Sequence, residues 1–338
     1  MSFLNNTIKL LGSVLDASKF IPPNHIFSIM GSPKQLIPPY HPYSEYTFFD
    51  PRELTRIMRY LEEVSLLPIP IPYHYANWLP IPETLFLKET HVFAYPEDSQ
   101  TGDDNFPKES WFFINGIATN TDMAKMNCKY LNELFHRQIV GIQNPTDSIL
   151  VDLLECAVGK RWQRSMSPAQ KALPLISNAL NDPNIERVIL IGHSQGTIIS
   201  ANILRSLVDD NGKEYVTPFE NMKKLEIYLF ANCADRMTYI PDMRSEKGHP
   251  VPYIENFANG NDMVARLGML SPRKELWDIR IDGDMYVRKD AWGHLLNAHY
   301  LNGFDTSRSD YAPFRSLTKN GATPRLFSYL DGNTPLPY

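Results

Sequence analysis

One stretch limits what this chain can fold into more than any other: Arg187-Val-Ile-Leu-Ile-Gly-His-Ser-Gln-Gly-Thr-Ile-Ile-Ser200. Val188 to Ile191 is a short, branched, apolar run of the kind needed by a strand buried on both faces. It ends in Gly192-His-Ser-Gln-Gly196, and Thr197, Ile198, Ile199, Ala201, Ile203, Leu204 and Leu207 continue at once as an apolar helical stretch. A strand that turns directly into a helix brings the two segments very close on either side of the residue at the bend. Gly192 and Gly196 then have to lack side chains, and Ser194 is expected on a tight, strained turn with its hydroxyl lifted above the sheet. Glycine is only 17 of 338 residues, so two of them placed symmetrically about one serine between a strand and a helix is a specific signal. The plain alternative is a glycine turn whose serine merely caps the helix.

Around this stretch the apolar pattern keeps alternating. Thr90 to Tyr95, Ser110 to Asn115, Gln138 to Ile142, Lys224 to Phe230 and Tyr253 to Phe257 read as strands. Thr121 to Arg137 carries Met123, Met126, Tyr130 and Leu134 at helical spacing. Ser167-Pro168 with Gln170 opens another helix, which runs to about Leu180. Ile279 to Val287, broken at Asp282-Gly283, reads as a hairpin. Strands alternating with helices predict an α/β protein with a mostly parallel central sheet and helices on both faces. Asn302 to Tyr338, rich in turn residues, is expected to wrap the surface.

The first part of the chain is different. Residues 1–107 hold 14 of the 27 prolines, including Pro38-Pro39 and Pro68-Ile-Pro-Ile-Pro72. Proline fixes φ and removes a donor, so extended, irregular chain is expected there. One helix is signalled inside it, with Asp50 as N-cap, Pro51 at the first position and Glu53 closing a capping box. Leu54, Ile57, Met58, Leu61 and Val64 would form its apolar face. Aromatic residues such as Tyr43, Tyr46, Phe48, Tyr73, Tyr75 and Trp78 make the segment too apolar for a disordered tail. Residues 1–84 are therefore read as an N-terminal arm, a lid or the arm of a homodimer, and residues 85–338 as the main domain.

Composition excludes several classes. A net charge of −5 with no basic block argues against a nucleic-acid surface. Three cysteines, Cys128, Cys156 and Cys233, are too few and too scattered for a disulfide framework or a zinc site, and the serine-centred reading implies no metal and no cofactor. No apolar run approaches the roughly 18 residues of a membrane helix. Met1 to Phe20 lacks the pattern of a secretory signal, and a cytoplasmic location is expected.

A serine hydroxyl is a weak nucleophile, which needs a histidine to take its proton and an acid to hold that histidine in the right tautomer. In a strand–turn–helix architecture the order is serine, acid, histidine, each in a loop at the carboxyl end of a strand. Asp262 fits best, in the loop Ala258-Asn-Gly-Asn-Asp262 after a strand, although it could equally cap the helix that starts at Met263. Asp235 is the alternative acid, one strand further from the histidines. His294, directly after Gly293, is the expected base, and His299 is the alternative, placed inside a helical stretch. His193 adjoins the serine, but that position is expected to point away from it and pack under the turn. Two backbone donors are needed for an oxyanion. The N–H of Gln195 is one, and Asn115-Gly116-Ile117 supplies the other, Ile117 first and Gly116 second.

From about residue 85 to 300 the chain resembles the α/β-hydrolase fold superfamily, through Gly192-His-Ser-Gln-Gly196, Phe113-Ile-Asn-Gly-Ile117, Asp262 and Gly293-His294. Lipases and esterases of that superfamily often carry His-Gly at the oxyanion loop, where this chain has Asn115-Gly116. The resemblance implies a serine hydrolase acting on an ester, thioester or lactone of a small acyl or aromatic substrate. Acyl transfer, C–C bond cleavage or cyclisation on the same residues, and a non-catalytic binding or dimer-forming member, are the other readings.

Overall fold

The computed structural model of the chain describes residues 31, 39–63, 90–97, 108–144, 167–208, 216–240, 242–272, 274–275 and 278–336. Most of the proline-rich arm, Val64, Pro68 to Pro72, Tyr73, Tyr75, Trp78, the polar stretch 98–107 and Cys156 lie outside these residues.

Six strands share one direction. They are β2 (Glu109–Ile114), β3 (Ile139–Ile142), β4 (Arg187–His193), β5 (Leu225–Phe230), β7 (Tyr253–Asn259) and β9 (Asp284–Arg288). With β1 (Val92–Tyr95) and β10 (Arg315–Ser316) they form an eight-stranded sheet in the order β1-β3-β2-β4-β5-β7-β9-β10. Only the two edge strands run antiparallel to their neighbours. Alternate residues of each strand enter two separate apolar layers. Trp111, Phe113, Ile189, Ile191, Tyr228 and Phe230 pack in one, with Cys128, Leu131 and Phe135 of helix α2 (Thr121–Phe135). Phe112, Ile114, Val188, Leu190, Ile227 and Leu229 pack in the other, with Ala172, Ile176 and Leu180 of α3 (Ser167–Asn181) and Ile199, Ile203 and Leu204 of α4 (Gln195–Ser206). Each fully buried Val, Leu, Ile or Phe among them contributes on the order of 1.5–3 kcal/mol. Helix α2 starts where Asn120 accepts the Met123 N–H at 2.9 Å and stops where His136 turns left-handed.

Three expectations are corrected. Ile279 to Val287 is not a hairpin. Arg280–Ile281 (β8) pairs in parallel with Arg236–Met237 (β6) in a separate two-stranded sheet, while β9 pairs in parallel with β7. Asp282-Gly283 is the step between the sheets, with Gly283 at φ 97° and the Asp282 N–H donating to the Met237 carbonyl. The N-terminal helix α1 begins at Leu54, not at Pro51, because Asp50 gives its carboxylate to the Arg52 guanidinium and N–H. It also turns a different face inward. Tyr60 is buried and Arg56 lies 4.4 Å over the Phe48 ring, whereas Leu54 and Met58 are exposed. Lastly, the C-terminal stretch does more than wrap the surface, since Phe304, Phe314, Leu326 and Tyr329 are core residues. Among the described residues no helix is long and apolar enough to cross a membrane.

Candidate active site

The bend between β4 and α4 holds Ser194 at φ 56°, ψ −124°, a region that costs a side-chain-bearing residue on the order of 1–3 kcal/mol. Such strain persists only where the surroundings over-determine it. Here the Ser194 N–H donates to Phe230 O at 2.9 Å. Its carbonyl accepts from the Thr197 hydroxyl at 2.6 Å, the Thr197 N–H at 2.9 Å and the Cys233 thiol at 3.4 Å. The two glycines are steric necessities, as their spacing predicts. A Cβ on Gly196 would lie 2.2 Å from Ile114 O of the neighbouring strand, and one on Gly192 would lie 2.8 Å from Ser200 Oγ of the helix.

The bend carries the serine to His294. His294 Nε2 lies 2.8 Å from Ser194 Oγ, and His294 Nδ1 lies 2.8 Å from Asp262 Oδ2. Asp262 follows β7 and plays two parts. One oxygen caps helix α5 (Met263–Leu267) by accepting the Val264 N–H at 2.8 Å, and the other accepts from His294 and from the Tyr300 hydroxyl at 2.6 Å. Burial pushes the Asp262 carboxyl upward, but the His294 imidazole and the three hydrogen bonds outweigh it and hold the group below its ordinary value. Burial pulls His294 down, and the Asp262 carboxylate overrides this and raises it above the ordinary histidine value. An ionised Asp262 fixes the proton on Nδ1, so Nε2 faces the serine as an acceptor.

The other candidates have different surroundings. His299 Nδ1 accepts the Leu295 N–H at 2.9 Å, and its Nε2 is 2.8 Å from the Tyr46 hydroxyl, so it braces the loop that carries His294. His193 Nε2 donates to the His294 carbonyl at 2.8 Å, and its ring lies 4.9 Å from the His294 ring. Burial and the neighbouring His294 charge depress His193 to about 3, and burial, Arg288 and His294 do the same to His299. Both stay neutral. Asp235 accepts the Arg280 N–H through its carbonyl, on the step to the small sheet, while Asp262 takes His294.

The loop after β2 is built on Asn115. Its amide donates to Gly116 O at 2.7 Å and Asn144 O at 3.1 Å, and its Oδ1 accepts the Asn144 N–H at 2.9 Å. Asn144 in turn donates to Gln195 Oε1 at 2.5 Å, which ties this loop to the helix after the serine. A Cβ on Gly116 would lie 2.6 Å from Ser194 Cβ and 3.1 Å from Oγ, so this main chain runs directly against the hydroxyl. Among the described residues neither the Ile117 nor the Gln195 N–H donates to a backbone carbonyl. Gln195 opens α4, and the first N–H groups of a helix have no partner within it.

Several residues of the site carry no sequence signal. Asn259, at the end of β7, donates to the Gly293 and His299 carbonyls at 2.9 and 3.0 Å. Arg288, at the end of β9, donates to Asn259 Oδ1 and to the His299 carbonyl. Tyr300 donates to Asp262 while its oxygen accepts the Asn259 N–H. Only the strand order brings these positions together. Among the described residues no group of three His, Cys, Asp or Glu side chains is arranged to hold a metal ion. Compared with known proteins, the chain matches no family model, no curated protein and no solved structure, so the assembly of Ser194, His294 and Asp262 on one end of a parallel sheet is what any functional reading rests on.

Proposed function

We propose that this chain is a serine hydrolase of the α/β-hydrolase superfamily, cleaving an ester, thioester or lactone through an acyl-enzyme. The observation that carries the reading is the unbroken line Asp262–His294–Ser194, with 2.8 Å at both links, ending on a nucleophile held in a strained turn. His294 Nε2 takes the Ser194 proton as Oγ bonds to the substrate carbonyl carbon. The negative oxygen that forms is placed toward the N–H groups of Gln195 and of the Gly116–Ile117 loop, in a buried setting where such donors act strongly. His294 then gives its proton to the departing alkoxide or thiolate, and the acyl group stays on Ser194. A water molecule, deprotonated by His294, reverses the sequence and releases the carboxylic acid. Asp262 remains ionised throughout and stabilises the imidazolium.

A panel of acyl esters, thioesters and lactones with product analysis tests this. The expected result is a carboxylic acid formed by the native chain and not by Ser194→Ala. Turnover that survives Ser194→Ala contradicts the reading. Acyl groups found on a second acceptor, or products without a free acid, would move it to acyl transfer, C–C cleavage or cyclisation by the same residues.

A further inference from the structure

The N-terminal arm reaches the two loops that the proposed chemistry needs. Ser44 opens a 3-10 helix over Glu45–Phe49 by accepting the Tyr46 N–H, and this places Glu45 inside the protein, 2% exposed. Its carboxylate accepts the Asn297 N–H at 2.7 Å, the Ala298 N–H at 2.9 Å and the Asn127 amide at 3.2 Å. These two backbone donors belong to the first turn of the π-helix Leu296–Tyr300, which starts two residues after His294. Burial raises the Glu45 carboxyl above its ordinary value and these hydrogen bonds oppose the rise; all three partners are donors, as an ionised carboxylate requires. Beside it, Tyr43 O accepts the Asn297 amide at 2.8 Å, and the Tyr46 hydroxyl meets His299 Nε2. At the other end of the same segment, the Tyr60 hydroxyl donates to Ala118 O at 2.8 Å, next to Ile117. Phe48, Phe49 and Tyr60 pack there with Ala118, Met123 and Met126.

We propose that Tyr43 to Tyr60 is a positioning strap for the candidate active site, and that Glu45 is the positioning residue that sets the loop bearing His294. A carboxylate this deep in the protein is costly unless every oxygen is satisfied, and an apolar residue would fill the space at lower cost. The charge does two things that an apolar residue cannot. It fixes two main-chain N–H groups of the loop, and it adds negative potential near His294. The other titratable groups around His294 are Asp262, Tyr300, His193, His299 and Cys233. Removing the Glu45 charge therefore lowers the pH at which His294 takes up a proton.

The kinetic arm of the test rests on the hydrolase reading, and the spectroscopic arm does not. In Glu45→Gln, kcat is expected to fall about tenfold with KM within about twofold. The acid limb of kcat/KM moves to lower pH, and the His294 imidazole, followed by NMR, titrates at lower pH than in the native chain. Glu45→Asp, which restores the charge, returns the acid limb toward the native position. Tyr60→Phe is expected to lower kcat with the acid limb unmoved, since it acts on the other loop, and it keeps the strap testable if Glu45→Gln does not fold. A lower Tm with native kcat and native acid limb in Glu45→Gln, native kcat in Tyr60→Phe, or an unmoved His294 titration overturns the strap. A shifted titration in a chain whose native form cleaves no ester leaves the strap standing and removes the hydrolase reading.

Discussion

The two ends of the central sheet bury polar groups in opposite ways. At the amino ends of the parallel strands two buried carboxylates meet arginine, while a third, Glu255, accepts the Arg325 and Leu326 main-chain N–H groups and the Tyr253 hydroxyl. Glu109 of β2 pairs with Arg137 at 3.0 Å and Arg187 at 3.2 Å, and Glu226 of β5 pairs with Arg325 at 2.9 Å and accepts the Tyr228 and Tyr329 hydroxyls. The C-terminal stretch closes this end, with Arg137 held by Asn333 O and Arg187 by Pro335 O. At Glu109 and Glu226 charge is neutralised in place. At the carboxyl ends the buried Asp262 meets no cation, only the Val264 N–H, the Tyr300 hydroxyl and an imidazole. A carboxylate paired with arginine stabilises a fixed arrangement, whereas one paired with a neutral histidine gains most when that histidine becomes charged. The arginine pairs of the first end fix an arrangement, whereas the Asp262–His294 pair of the second couples a carboxylate to a group that can take up a proton.

The comparison is sharpest at Asp262. Asp262→Asn offers His294 an amide donor, which drives the proton to Nε2 and leaves nothing to accept from Ser194, so kcat is expected to fall by about 10⁴-fold. The acid limb of any residual activity moves down, because the native carboxylate raises His294. On the proposed mechanism, activity in the native chain is expected to fall as pH drops through the His294 value, which the Asp262 carboxylate holds above that of an ordinary histidine. At the opposite end Arg325→Met leaves Glu226 buried without its cation. The expected loss is about 3–5 kcal/mol of stability in denaturant titration, with kcat of the folded protein unchanged. Loss of kcat there at full stability would erase the distinction between the ends.

The pH dependence of stability separates the ends with opposite signs. His193 and His299 are depressed to about 3, so below about 6.5 the unfolded chain takes up protons that the folded chain refuses. Each contributes stability that is present above that pH and declines by about 1.4 kcal/mol per unit as pH falls. Glu255, near the amino ends, is pushed up to about 7 by burial, so its contribution is present at low pH and lost as pH rises through that value. His299→Gln is expected to flatten the acid slope of stability and Glu255→Gln to steepen it. The smallest effect is also the most particular to the bend. Ser194→Gly removes activity yet raises stability by about 1 kcal/mol, because glycine accepts φ 56° without strain. A destabilised Ser194→Gly would mean that the turn stores no strain.

What the sequence revealed depends on how local the signal is. The bend at Ser194 is written in two glycines within five residues, and the buried strands are written in branched apolar runs, so both could be read directly. Asp262 and His294 were reachable because strand order fixes the sequence of loops above a parallel sheet. Glu45 could not be found this way, since its partners Asn297 and Ala298 lie 252 and 253 residues further on and no periodicity links them. Asn144 and Asn259 are ordinary loop residues until β3 and β7 take their places in the sheet. The segment Ile279 to Val287 misled because a polar Asp-Gly step between two short strands has the same pattern whether the chain turns back or crosses to another sheet. The face of α1 differs for a related reason: Arg56 meets the Phe48 ring and Tyr60 the Ala118 carbonyl, and Leu54 and Met58 are left exposed.

The most direct measurement is the intact mass of the chain after exposure to a fluorophosphonate, a reagent whose phosphorus is attacked by an activated serine hydroxyl with loss of fluoride. The account predicts a single adduct on Ser194, absent in Ser194→Ala and strongly slowed in His294→Ala. A folded native chain that takes up no adduct, or an adduct that persists undiminished in Ser194→Ala, would contradict it.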